Sequence, residues 1–218
     1  MKESTSREKV LKAVRKALIH KSEADFSAAD SEAEIYSTPE EESLELLFAK
    51  NFSNLTGNFI FCEKKDDFVK SFAHLVEERQ WKDIYCVDDS IQQLLKQGNV
   101  PYMSEEKDFL KCDVGLTLCE CLVARTGTIM MSSKLKSGRR LPVYSNTHVT
   151  VAYASQLVYN LKDAYKLVQK KYGNSFPSQL TAVTGPSQTA DIEKTLVKGA
   201  HGPKELFLFL IDDVAHHS

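Results

Sequence analysis

The run LFLFLI at 206–211 has no polar side chain on either side of an extended backbone. Successive residues of a strand point to opposite faces, so this segment needs cover on both faces. That constrains the chain to a layered fold with this strand inside a sheet. Shorter segments of similar character stand at 58–62, 84–87, 148–153 and 180–184, and between them the apolar residues change to helical spacing. Phe68, Phe72, Leu75 and Val76 form one stripe over 67–78, and helices are expected at 88–97, closed by Gly98, and at 155–172. Strands alternating with helices predict an α/β fold around a mostly parallel sheet covered on both faces.

The middle of the chain breaks this alternation. Segments 114–118, 122–131 and 141–144 read as strands that follow one another through glycine-containing turns, which predicts a β-hairpin region inserted in the sheet or extending it. Ahead of the core, Val10, Leu11, Val14 and Leu18 recur at helical spacing within 6–20, and a polar, acidic stretch runs over 22–42. A further helix is expected over 39–52, with Leu44, Leu47 and Phe48 on one face and Pro39 in its first turn. The organisation predicted is an N-terminal helix with a polar linker over 1–38 and one domain over 39–218. At 218 residues and 42% hydrophobic content the chain can bury a substantial core.

Charge and cysteine content narrow the function classes. The 28 basic and 30 acidic residues leave a net charge of -2, so no general attraction to nucleic acid or anionic lipid is expected and any anion site must be local. No stretch reaches the roughly 18 apolar residues of a membrane helix, and the first residues lack the hydrophobic run of a signal peptide, so a cytoplasmic location is expected. Cys62, Cys86, Cys112, Cys119 and Cys121 are odd in number and contain no CxxC pair, which predicts buried, reduced thiols. Cys119-Glu120-Cys121 has no second ligand pair nearby, so neither a metal site nor an iron–sulfur cluster is expected within the chain. GxGxxG, GxxxxGK[ST], GxSxG and HExxH are all missing, which argues against ordinary Rossmann dehydrogenases, P-loop enzymes, α/β-hydrolases and zincins. No cofactor is named by any motif.

An open α/β sheet binds ligands beyond the carboxyl ends of its strands, which directs attention to the loops after Val87, Leu118, Tyr153 and Thr184. In the last of these, Gly185 can take positive φ, Ser187 and Thr189 carry hydroxyls able to cap a following segment or hold an anion, and Asp191 could orient a cation or accept a ribose hydroxyl. His201, between glycines in GAHGP, has room to act as general acid or base, or to bond a neighbouring loop carbonyl. The segment KLKSGRR at 134–140 is the clearest local anion candidate, because Arg139 and Arg140 can bind carboxylate or phosphate in bidentate fashion. The same residues suit a solvated hairpin tip.

Three segments together, VARTGTIMM (123–131), SGRRLP (137–142) with His148 beyond it, and VTGPSQTADIEKTLVKGAHGPKELFLFLID (183–212), resemble the LUD domain of the lactate utilization protein C family over roughly residues 40–213. The resemblance implies a three-layer α/β fold of the NagB/RpiA/CoA transferase-like type, similar to 5-formyltetrahydrofolate cyclo-ligase. It also implies a part in oxidising L-lactate to pyruvate, as an accessory component of an oxidoreductase complex whose partner proteins carry iron–sulfur clusters. On this pattern Thr126, Gly127, Thr128, Arg139, Arg140, Thr184, Gly185, Ser187 and Thr189 are the expected contacts to a small carboxylate or nucleotide. His201, Glu120 and Asp191 are the expected catalytic candidates. The chain departs from the family at Arg125, where the motif often reads Glu, and Glu120 five residues earlier is the better carboxylate candidate. Neither the phosphate-binding glycine run of cyclo-ligases nor the nucleophilic glutamate motif of CoA transferases is recognisable. A stand-alone enzyme of either kind, or a metabolite-sensing regulatory module, are the alternative readings.

Overall fold

A computed structural model describes Lys12, Arg15 and residues 43–190, 196–199 and 201–214. Apart from Lys12 and Arg15, the expected N-terminal helix at 6–20 lies outside this set, as does Asp191. The first complete element is α1 (Leu44–Asn54), which begins after Ser43, whose hydroxyl accepts from the Leu46 amide. It buries Phe48 and Phe52. Next come β1 (Asn58–Cys62), α2 (Lys65–Arg79), β2 (Ile84–Cys86) and α3 (Asp89–Gln97). Gly98 is the C-cap of α3 as expected, although the residue with positive φ is its neighbour Asn99.

β3 (Val114–Leu118), β6 (Thr147–Tyr153) and β11 (Glu205–Ile211) complete a five-stranded parallel sheet in the order β1-β11-β6-β3-β2. β11 is thus an inner strand between β1 and β6, where LFLFLI finds cover on both sides. One sheet face carries Val114, Leu116, Val149, Val151, Phe207 and Phe209, which pack on Phe68 and Phe72 of α2 and on Ile91 and Leu95 of α3. The other face carries Leu206, Leu208 and Leu210 against Phe48 and Phe52 of α1 and against Leu122, Ile129 and Met131.

Those last three residues belong to the β-hairpin expected in mid-chain, β4 (Cys121–Val123) and β5 (Thr128–Ser132). The hairpin is built into a mixed sheet of its own, ordered β7-β4-β5-β8, with β7 (Leu157–Val158) and β8 (Leu180–Val183). The result is three layers: helices, parallel sheet and mixed sheet. On the outer face of the mixed sheet α5 (Leu161–Tyr172) lays Ala164 and Leu167 over Cys121, Val123 and Met130. Cys119 and Cys121 therefore enter different clusters, and all five cysteines are buried and unpaired. A short hairpin, β9 (Gln188–Ala190) with β10 (Leu196–Lys198), precedes β11. Among the described residues no helix is long and apolar enough to cross a membrane.

Three local expectations are corrected. Residues 141–144 form not a strand but a helical turn, α4 (Leu141–Tyr144), with Pro142 in its first positions and Arg140 already in the right-handed region. The helix expected over 155–172 starts only at Leu161, because Asn160 caps it by accepting from the Lys162 and Asp163 amides and residues before it pair as β7. The strand at 180–183 runs antiparallel to β5 in the mixed sheet, so the 184–189 loop does not lie beyond a carboxyl end of the parallel sheet. Ser187 and Thr189 do not cap a helix, since the residues after each belong to β9, which runs from Gln188 to Ala190.

Candidate functional site

The segment between β5 and α4 crosses the β2 edge of the parallel sheet and roofs a cavity of about 380 Å³. Its floor comes from Tyr85, Phe109 and Leu141, with Val87 beside them; the first three are 3%, 5% and 1% exposed. Tyr85 and Phe109 meet edge to face, 5.7 Å between centroids. The rim carries Lys136, Arg139, Arg140 and Glu106. Arg140 lies 4.2 Å from the Phe109 ring centroid and pairs with Glu106 at 3.2 Å. Lys136 pairs with Asp89 at the start of α3. Arg139 donates to Ser178 Oγ and meets no carboxylate among the described residues. Ser137 lines the same cavity, is 8% exposed, and its hydroxyl has no partner among the described residues. A buried hydroxyl without a partner is costly, so a group able to bond it is favoured there. Ser137, Tyr85 and Phe109 were not among the expected contacts; the quoted SGRRLP contained Ser137 but gave no sign of its burial.

Thr126, Gly127, Thr128, Thr184 and Gly185 gather elsewhere. The hydroxyls of Thr126 and Thr128 lie 2.7 Å apart, and those of Thr128 and Thr184 lie 2.9 Å apart. Gly127 has φ 60°, and a Cβ on it would sit 2.5 Å from the Phe52 amide nitrogen, so glycine is required where α1 crosses this turn. Asn51 of α1 reinforces the crossing by donating to the carbonyls of Ala124 and Arg125. Thr184, Gly185, Pro186 and Gln188 line a second cavity of about 340 Å³ with Asn54, Leu55 and Thr56. The Ser187 amide donates to Pro203 carbonyl oxygen, and Gly202 approaches Ser187 closely, which brings the His201 turn beside this loop. His201 is exposed. Thr189 is described only as backbone of β9.

The expected contacts thus fall into two groups. Arg139 and Arg140 stand over β2, an edge strand, whereas the Thr184 loop and His201 sit where the chain enters β11, three strands away, or about 14 Å at ~4.8 Å per strand. No residue lines both cavities.

Glu120 occupies a third place, in the β3–β4 turn. It is 3% exposed, and its carboxylate accepts from Lys171 Nζ and Tyr172 OH, each at 2.7 Å, and from Ser132 Oγ. Burial acts to raise its pKa, but these three donors outweigh burial and hold it below the usual value. Glu120 therefore ties α5 to the end of β5. His148, fully buried on β6, shares a hydrogen bond of 2.9 Å between its Nε2 and Thr117 Oγ1, and burial lowers its pKa to about 4, so it is neutral near pH 7. Its Nδ1 has no partner among the described residues.

Comparison with known proteins adds three findings. A family model described as LUD domain matches residues 103–211, half of the chain. Lactate utilization protein C 1 of Bacillus mycoides (strain KBAB4) is 33% identical over 112 residues, covering 50% of this chain and 48% of that protein. Lactate utilization protein C of Bacillus subtilis (strain 168) is 31% identical over 105 residues, covering 47% of this chain and 44% of that protein. The chain spans about half the length of the curated relatives it matches. The crystal structure of a DUF162 family protein from Deinococcus radiodurans superimposes with a TM-score of 0.57 at 18% identity, over 77% of this chain and 96% of that one. The two share the three-layer α/β fold, consistent with the NagB/RpiA/CoA transferase-like arrangement.

Proposed function

Because the chain belongs to the LUD domain family, we propose that it is an accessory component of an L-lactate utilization system, acting with iron–sulfur partner proteins and holding a small anionic ligand in the cavity over β2. The lactate half of this reading is supported by the names of the Bacillus relatives. One observation carries the ligand half: Arg139, whose guanidinium meets no carboxylate among the described residues, and Ser137, whose buried hydroxyl has no partner among them, line one cavity. Together they can take a carboxylate in the way an arginine fork and a hydroxyl do. Oxidation of L-lactate to pyruvate removes two electrons and two protons. In this reading the partner proteins carry the electrons, and this chain holds an anion.

The test is lactate oxidation with an artificial electron acceptor, using this chain together with the iron–sulfur lactate utilization proteins of the same organism. Activity should be lost when this chain is omitted, and Arg139→Gln should lower it without changing the far-ultraviolet circular dichroism. His201→Ala in the same assay reports on the separate loop at β11. Undiminished oxidation without this chain would refute the accessory role, and a wild-type rate in Arg139→Gln would remove the anion from this cavity.

A further inference from the structure

We infer that the cavity over β2 takes an aromatic anion, a planar ring bearing one carboxylate or one phosphate, rather than a three-carbon acid alone. The inference rests on reading this cavity as the anion site. Its volume, about 380 Å³, falls within the range of about 300–1,000 Å³ typical of sites for ligands far larger than lactate. The walls point the same way. Tyr85, Phe109 and Leu141 form an apolar floor that is only 1–5% exposed, and the small apolar area it leaves open to the cavity is better covered by a ring than by a carboxylate on Arg139 with no further body. Arg140, laid over Phe109, prolongs the aromatic wall to the rim as a flat cationic plane, a surface on which rings stack.

The polar groups set where the charge goes and how much of it there is. Arg139 and the Ser137 hydroxyl supply an oxyanion with a cation and a buried donor. Glu106 shares the rim and pairs with Arg140, and Lys136 is paired with Asp89. That balance suits one anionic group and opposes a polyphosphate.

Isothermal titration calorimetry on the full chain separates the contributions, using nicotinate, AMP, nicotinamide and L-lactate as probes. Nicotinate shares its ring with nicotinamide and its carboxylate with lactate, while AMP exchanges carboxylate for phosphate. Nicotinate or AMP should bind about tenfold or more tighter than both lactate and nicotinamide, from the worth of ring stacking. Arg139→Gln should weaken that binding by about 10- to 100-fold and Ser137→Ala by about 2- to 10-fold, with melting temperatures checked alongside. Whichever of nicotinate and AMP binds more tightly identifies the anionic group. If lactate binds as tightly as the ring anions and Arg139→Gln abolishes it, the aromatic inference falls while the anion site stands. If the ring anions bind equally well to both variants, or no probe binds at millimolar concentration, the inference and the anion site fall together.

Discussion

Replacing Glu120 by Gln should destabilise the fold by about 2 kcal/mol near neutral pH, a figure that follows from its surroundings. The two hydroxyls on the carboxylate, from Ser132 and Tyr172, change from charge-assisted to neutral hydrogen bonds, a loss of about 1 kcal/mol each. The Lys171 partner is 49% exposed, so that ion pair contributes only about 0.5–1 kcal/mol more. A neutral amide is less costly to bury than a carboxylate, which returns about 1 kcal/mol. For a chain of this size the melting temperature should fall by about 4–8 °C. The pH dependence gives a second check. Because the folded-state pKa is lowered, the carboxylate contributes fully above its unfolded value of about 4.3, and the contribution is lost as pH falls through the folded value. The stability gap between wild type and variant should therefore be level from about pH 8 to 5 and close below that. Urea unfolding can be followed by fluorescence of Trp81, the single tryptophan, which packs against Phe72 and Phe207. Equal stability at pH 7, or a gap that widens on acidification, would refute the reasoning. A loss of lactate oxidation at unchanged stability would instead assign the carboxylate to the chemistry.

Two further outcomes are expected. His148 is held neutral by burial with a pKa of about 4, so its contribution is present above its unfolded value of about 6.5 and falls away as pH drops to about 4, by about 3 kcal/mol. His148→Gln should flatten stability over that window, and an NMR titration that finds this imidazole protonating at 6.5 or above would contradict the placement. Gly127 and Gly138 share nearly the same φ, 60° and 62°, but a Cβ on the first strikes α1 backbone whereas nothing stands within 4 Å of one on the second. Gly127→Ala should therefore cost about 3 kcal/mol or more in chemical denaturation and Gly138→Ala about 1 kcal/mol; similar losses in both would show that the clash with α1 is not the deciding factor.

What could be read from the sequence was whatever depends on pattern along the chain. LFLFLI announced an inner strand because its requirement for cover on both faces is written in consecutive residues. The start of α5 was legible too, in the Asn160 and Asp163 capping box, but the apolar spacing over 155–172 masked it. Residues 141–144 carry too few positions for any periodicity to separate a turn of helix from a strand. Sheet membership was out of reach for 180–183, since an apolar strand that joins β5 antiparallel looks the same in sequence as one that joins a parallel sheet. The separation of Arg139 from Thr184 was hidden for the same reason: both belong to one family pattern, but strand order decides that they stand apart. The place of Ser137 was hidden because the cavity it lines is completed by Tyr85 and Phe109, more than 25 residues away in the chain.

The position of the cavity is itself set from within the parallel sheet. On the face of that sheet turned toward the mixed sheet, the β11 side is apolar through Leu206, Leu208 and Leu210, which is what α1 and the hairpin need for packing. Toward β2 the same face becomes small and polar, with Gly115, Thr117, His148 and Thr150. Gly115 is decisive, because a Cβ there would lie 2.7 Å from Ser145 Oγ and 2.9 Å from Leu141 Cδ1. The absence of a side chain lets α4 settle onto β3, and Leu141 then becomes part of the cavity floor beside Tyr85 and Phe109. The floor is thus rigid, being core. The roof is attached differently, through the Arg139 bond to Ser178, the contact of Arg140 with Phe109, and ion pairs of Lys136 and Arg140 whose four side chains are all more than half exposed, each pair worth about 1 kcal/mol or less. A ligand that engages Arg139 and Ser137 can therefore reposition the roof at little cost while the aromatic floor keeps its shape, so selectivity for a ring would reside in the floor and affinity for its charge in the roof.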